Sequence, residues 1–259
     1  MRSQDAATYQ AVARPVAVMA KPFPNGARTG WHAHARGQVL YATQGLMLAQ
    51  TAAGTWGLPT GHALLIPPGL MHDIAMHGSV EMLTAYVSRG AWTRSGLCGC
   101  RVVRVSKLLD AALAALVAEP VLYGARGRHL ASLVLDEVSR APLADLALPM
   151  PAPSRLRDLC ERLIAAPDGL ARLDALADDL GISRRTLTRR FRAETGISLG
   201  DWQRRLRQLT ALRLESEGVA WKEIAASVGY GSPQALRAML RRRDGATAGA
   251  ARARDQASL

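Results

Sequence analysis

No run of 18 or more apolar residues occurs in the 259-residue sequence, so no segment is expected to cross a bilayer as a helix. The amino terminus, MRSQDAATYQAVARPVAV, lacks the apolar core of a secretory signal, and a cytoplasmic location without membrane association is expected. Cysteine is scarce. Cys98, Cys100 and Cys160 make an odd number, which fits reduced thiols better than a disulfide framework. The "CGC" at 98 to 100 is open to redox or metal chemistry, although small buried residues are the plainer reading. Acid is short as well: 21 Asp and Glu face 33 Lys and Arg, for a formal net charge of +12. Such an excess favours a polyanionic partner, nucleic acid or an anionic membrane surface, without choosing between them.

What is present changes texture along the chain. Up to about Val87 short apolar runs are broken by Gly and Pro, the pattern of strands joined by turns, and a barrel or sandwich is expected. From Ser106 the period changes. "SKLLDAALAALVAEP" and "GRHLASLVLDEVSRAP" carry apolar residues at helical spacing and each ends against a proline, predicting helices over about 107 to 118 and 126 to 140. "LALPMPAPS", residues 146 to 154, holds three prolines and reads as an extended, semi-rigid linker. Helical sequence follows to about Gly245, and the tail has no apolar period.

The stretch SRRTLTRRFR contains Arg184, Arg185, Arg189, Arg190 and Arg192 and no acid. It belongs to a repeat. "LADDLGISRRTLTRRFRAETG" from Leu176 matches "IAASVGYGSPQALRAMLRRRDG" from Ile224, with Ala177, Gly181, Ser183 and Leu187 answering to Ala225, Gly229, Ser232 and Leu236. Each copy reads as a helix, a glycine able to take positive φ, then a serine N-cap and a second helix, which is a helix-turn-helix. In the first copy Leu187 and Phe191 face inward against Leu176 and Ala177. A basic helix with no ligand is the bland alternative, but repeat, caps and turn glycines all agree on double-stranded DNA as the partner. Arg185, Thr188 and Arg189 are expected to reach bases, with Arg184 and Arg192 nearer phosphate. In the second copy Pro233 starts the helix, and Gln234, Arg237 and Arg241 are the expected contacts, with Arg242 and Arg243 behind them. A long helix through Trp202, Leu206, Leu209 and Leu212 joins the copies, so that two recognition helices would sit about 34 Å apart on one face of the duplex.

This half resembles the DNA-binding domain of AraC-type transcription regulators, on the matching pieces "ALADDLGISRRTLTRRFRAETGISLGDW", "RLRQLTALRLESEG" and "EIAASVGYGSPQALRAMLRRRDG". The resemblance implies seven helices with two helix-turn-helix units entering successive major grooves. Leu236 and Leu240 stand where phenylalanines are usual, and Thr247 where the family has proline, which predicts a loosely packed second unit.

In the amino-terminal half, "HAHARGQVLYATQG" and "GHALLIPPGLMH" resemble the two cupin motifs, H-x-H-x(3-4)-E-x(6)-G and G-x(5)-P-x-G-x(2)-H, with Gln38 in place of Glu. The resemblance covers roughly residues 15 to 88 and implies a small antiparallel barrel around a pocket. His32 and His34, two apart, would share a strand face. In metal-binding cupins the positions of His32, His34, Gln38 and His72 hold a divalent ion, and imidazole suits iron, nickel, copper or zinc. The alternative is a metal-free pocket that hydrogen-bonds a small-molecule effector. His62, His77 and His129 lack such spacing and read as ordinary surface or loop residues.

The expected architecture is α+β and multidomain: an antiparallel cupin or jelly-roll barrel, then an all-α domain with two helix-turn-helix units. The boundaries are 1–95 for a sensing domain, 96–153 for a helical dimerisation segment and linker, 154–246 for the DNA-binding domain and 247–259 for a disordered tail. The two helices after the barrel have apolar faces with no obvious target in the chain. Leu108, Leu109, Leu113, Leu116, Leu130, Leu133 and Leu135 are candidates for a homodimer contact, with packing against the barrel as the alternative. The expected function is a DNA-binding transcription regulator, not an enzyme, that responds to a small molecule or metal. The alternative is a metal-dependent cupin enzyme of dioxygenase or isomerase type with an appended DNA-binding domain.

Overall fold

Alternation between inward apolar and outward polar residues, broken at Gly and Pro, folds the first part of the chain into strands. The computed structural model describes residues 4–119, 124–152, 154–165 and 173–240. After a 3-10 turn at Ala6–Tyr9 come β1 (Val16–Phe23), β2 (Gly37–Thr51), β3 (Gly54–Pro59), β4 (His62–Ile66) and β5 (Asp73–Val87). The β1–β5, β2–β5, β2–β4 and β4–β6 pairings are antiparallel: β1 and β2 flank β5, while β4 lies between β2 and a later strand, β6 (Arg101–Arg104). Gln38 sits at the centre, its backbone opposite Tyr86 of β5 and Ile66 of β4. The register of β2 against β5 shifts on either side of Gln44, and such irregularities bend a strand and let a sheet curl.

Two helices complete this unit beyond the short α1 (Arg89–Arg94). They are α2 (Lys107–Ala118), capped by Ser106 whose hydroxyl accepts from Leu109 N, and α3 (Ala125–Arg140). Their apolar faces have a target within the chain, which corrects the expectation that they lack one. Leu109, Leu113 and Leu116 are buried with Val16, Val39, Leu65 and Val87 of the strands, and Leu130, Leu133 and Leu135 pack against the same cluster. The helices cover the outer sheet face because that face is itself apolar and would otherwise be wet. Of the leucines expected at a dimer contact only Leu108 remains exposed. The chain therefore divides differently from the expected scheme: one compact unit contains Trp56–Asp145 together with the residues before Ala52, so the segment after residue 95 is part of the sheet unit.

The second unit comprises Ala52–Thr55 and the chain from Leu146. It holds the short strand β7 (Ala147–Pro149), α4 (Arg155–Ala165), α5 (Leu173–Asp179), α6 (Arg184–Thr195), α7 (Leu199–Ser216) and α8 (Trp221–Ser227), and residues 233–240 form α9. The proline-containing stretch is extended, but it is not a free linker. Leu146 and Leu148 are buried, the Trp202 indole N–H donates to Pro149 O at 2.9 Å, and Arg205 donates to Ala147 O at 3.0 Å. The expected domain start at 154 falls too late, because apolar burial and two side-chain hydrogen bonds tie residues 146–149 to α7. The expected tail, 247–259, lies outside the described residues. No helix among the described residues is long and apolar enough to cross a membrane.

Candidate functional site

The two helix-turn-helix copies differ in how they use their surface. In the first, α5 ends at a turn where Gly181 adopts φ 65°, and the matching Gly229 after α8 adopts φ 75°; L-residues other than Gly, Asn and Asp are strained there. Ser183 then caps α6, its hydroxyl accepting from Thr186 N at 3.2 Å, and Ser232 caps α9 by accepting from Ala235 N at 3.2 Å. Leu187 and Phe191 are fully buried, and Phe191 meets Trp202 edge to face at 6.0 Å between ring centroids. With that side of α6 inside, helical spacing turns Arg185, Arg189 and Arg192 outward together, and all three are exposed. Arg184, on the flank, pairs with Asp174 of α5 at 3.4 Å. Thr188 is half-buried and its hydroxyl donates back to the carbonyls of Arg184 and Arg185, so what it presents outward is a methyl group and oxygen lone pairs.

In the second copy Leu236 is fully buried with Ala211, Ile224, Ala225 and Val228. Leu240, the other leucine where phenylalanine is usual, is half-buried against the same cluster, and Thr247 lies outside the described residues. Gln234 and Arg237 are exposed. The Arg237 guanidinium lies over the Trp221 ring at 4.6 Å from its centroid, a cation–π contact that holds one charged group against α8. Arg241, Arg242 and Arg243 lie outside the described residues.

The other site is an inward one. Residues 28–34 run alongside 72–76, and His32 and His72 form an antiparallel bridge with N···O distances of 3.0 and 2.9 Å. His32 and His34 therefore approach β5 from the segment before β2, not from a strand of their own as the two-residue spacing implied, while Gln38 is the second residue of β2. The three imidazoles converge: ring centroids are 4.3 Å apart for His32 and His72, 4.8 Å for His32 and His34, and 5.5 Å for His34 and His72. One ligand atom from each lies within 4.8 Å of the others.

Hydrogen bonds decide which atoms face inward. His32 Nδ1 lies 2.7 Å from Gly30 O and His72 Nδ1 2.8 Å from Leu70 O; a carbonyl accepts only, so Nδ1 donates in each and Nε2 is the ring nitrogen left for the cluster. The Gln38 amide donates to Thr84 Oγ1 at 2.9 Å, which turns Oε1 the other way. Gln38 Oε1 and His72 Nε2 are then buried without a hydrogen-bond partner. Burial, then the neighbouring His32 and His72, holds the His34 pKa down at about 4. Burial likewise lowers His72 against the opposing pull of Leu70 O. His34 and His72 are thereby held toward the neutral form. It opens on a cavity of about 590 Å³ lined by His32, His34 and Gln38 with Met19, Lys21, Phe23, Arg28, Ile74, Met82 and Tyr86.

Sequence reading missed the side chains that hold this site together. Arg36 is buried and donates to the carbonyls of Gln10, Val12, Arg14 and Tyr86, fastening the amino-terminal segment so that Gln4, Asp5 and Ala6 line the cavity. Asp73, also buried, accepts from Arg28 and from Thr29 Oγ1, which binds the 28–32 segment to β5. His62, His77 and His129 are not in the cluster. Cys98 is exposed, unlike the buried pair expected, and Cys160 is buried, its thiol pushed up to about 12 by that burial.

Comparison with known proteins finds matches to both halves of the chain. Residues 22–137 match the model of the AraC-like ligand binding domain and residues 176–254 that of a helix-turn-helix domain. The chain is 26% identical over 225 residues to the HTH-type transcriptional regulator NimR of Escherichia coli, covering 84% of this chain and 80% of that protein. It is 32% identical over 99 residues to the HTH-type transcriptional regulator RipA of Corynebacterium glutamicum, covering 38% of this chain and 30% of that one. Among solved structures, an apo variant of ToxT from Vibrio cholerae matches with a TM-score of 0.39 and 8% identity over 90% of this chain and 94% of that one, a likeness too distant to bear on either site. These matches favour a regulator over an enzyme. The chain belongs to the AraC-type helix-turn-helix transcriptional regulators, with a cupin-like ligand-binding domain ahead of the DNA-binding one.

Proposed function

We propose that the protein grips double-stranded promoter DNA with α6, using Arg185 and Arg189 for base edges and Arg184 and Arg192 for phosphate, and with α9 as the weaker reader through Gln234 and Arg237, assisted by Arg241 beyond it in sequence. The observation that carries this is the division of α6 itself, with Leu187 and Phe191 fully buried and Arg185, Arg189 and Arg192 exposed on the opposite side. Arginine suits both tasks, because its fork pairs with guanine O6 and N7 and its charge holds phosphate. The test is fluorescence anisotropy of the full chain on its own promoter fragment against random DNA at moderate salt. Binding the promoter fragment more tightly is expected, and equal affinity for both refutes the reading.

Regulation enters through the cavity. A small molecule there shifts the population of arrangements able to bind the operator, and it does so only through unequal affinity for them. A divalent metal is part of the proposal, with His32, His34, His72 and Gln38 as its holders. Two buried acceptor atoms without partners, Gln38 Oε1 and His72 Nε2, support it, since such atoms are costly unless something satisfies them. Imidazole and amide oxygen suit late first-row ions; when bound, such an ion supplies a positive centre to which a ligand attaches. Turnover of a substrate by the metal-loaded protein would favour the enzyme alternative instead. The protein is proposed to act in the cytoplasm as a homodimer. Support comes from family resemblance and from exposed Leu108 on α2, and sedimentation as a strict monomer on the operator would refute it.

A further inference from the structure

Resting on the metal reading above, we propose that the cavity takes a small carboxylate-bearing molecule together with the ion, because the four donors bring no negative charge to it. Three are imidazoles and the fourth is an amide, held with its oxygen inward by Thr84, and none of these groups is an anion. The nearby acids are committed elsewhere. Asp73, next to His72 in sequence, accepts from Arg28 and Thr29, and Asp5 caps the Ala6–Tyr9 turn by accepting from Ala7 N at 3.0 Å. Lys21 and Arg28 stand against Asp5 in the lining, and with Asp73 neutralising Arg28 the protein is close to charge balance there. A dication would add two positive charges with nothing to offset them, and an uncompensated charge in a low-dielectric site is costly. An anion bound alongside supplies the missing charge.

The rest of the cavity restricts the anion further. Its volume, about 590 Å³, exceeds what one or two waters fill and lies in the range of metabolite-sized pockets. Met19, Ile74 and Met82 are buried in its wall and Phe23 is half-buried there, so the molecule carries an apolar body beyond its carboxylate. Lys21 Nζ lies 5.0 Å from the Phe23 ring centroid, which places a second positive group on the same wall for an oxygen that does not reach the ion.

The test uses full-length protein freed of metal by a chelator, with Co²⁺ as the metal probe and oxalate as the anion probe. Co²⁺ is expected to give visible absorption bands that oxalate shifts saturably, while oxamide, the neutral isostere, binds at least about tenfold more weakly, as expected when charge is what differs. Gln38→Glu supplies one negative charge in nearly the same shape. It is expected to tighten Co²⁺ and weaken oxalate, each by about tenfold or more. Bands that oxalate leaves unaltered would overturn the anion inference and leave the metal reading standing. Absence of Co²⁺ bands in the wild-type protein would overturn both. Should Gln38→Glu fail to fold, the oxalate and oxamide comparison on the wild-type protein decides alone: equal affinities overturn the inference.

Discussion

Gln38 and His72 are 2% and 1% exposed, whereas Arg185, Arg189 and Arg192 stand in solvent, so the two units hold their working groups under opposite conditions. In the sheet unit Gln38 Oε1 and His72 Nε2 have lost water and gained no partner within the protein, and such groups must be aimed by others: Thr84 aims Gln38 and Leu70 O aims His72, as Gly30 O aims the half-buried His32. In the helical unit the arginines need no aiming and cost little to keep, because water solvates them until a duplex arrives. What requires support there is the far side of the helix, where Leu187 and Phe191 fix its rotation. An inward site is thus sensitive to changes in its supports, and an outward site to changes in its foundation.

The comparison breaks most severely if the foundation goes. Phe191→Ala is expected to cost about 3–5 kcal/mol of stability in the helical unit, seen as a lower denaturation midpoint, whereas Arg185→Ala stays within about 0.5 kcal/mol of the parent. Comparable losses from both would mean the arginine face is structural. Next in size, Arg189→Ala is expected to lose about 1–3 kcal/mol of DNA binding at one base position, measured on a panel of single-base operator variants. Arg192→Ala should weaken all sequences alike and lower the salt slope by about one unit; equal loss of sequence preference from both changes contradicts the division of roles. Smaller again, Ser183→Ala removes the α6 cap and is expected to cost about 1 kcal/mol of stability, read by urea unfolding.

The inward site has its own signature in acid. His34 ionises near 4 in the folded protein, against 6.5 for an ordinary histidine, so as pH falls from 6.5 the unfolded chain takes up its proton first. Its contribution to stability is complete above about 6.5 and is lost progressively toward 4, and His72 is shifted the same way. The melting temperature of the metal-free protein is expected to fall across that window and His34→Gln to flatten the fall; an unchanged slope in the variant assigns the loss to other groups.

Features that repeat locally were legible in the sequence. Ser183 and Ser232 announced helix starts because a cap is decided within three residues, and Gly181 and Gly229 marked turns because backbone sterics allow few alternatives. The spacing of His32, His34, Gln38 and His72 named the cavity's donors, although not that the first two lie outside a strand. Long-range placements were not legible. Nothing about Arg36 shows that four carbonyls would surround it, and Asp73 looks like any surface acid until Arg28 is brought to it by the fold. The period of α2 and α3 revealed apolar faces, but periodicity does not say what covers a face, and here it is the outer side of the sheet. Thr188 reads as a polar contact, yet its hydroxyl is turned into its own helix.

The indole N–H that Trp202 gives to Pro149 bears on where the polypeptide can be cut. Residues whose composition suggests a tether are instead the opening lap of the helical body, so a fragment begun at 154 would strip a buried donor of its acceptor and lose the buried Leu146 and Leu148. A severed DNA-binding half would keep its seat for the long helix only if the scissors fall upstream of Leu146.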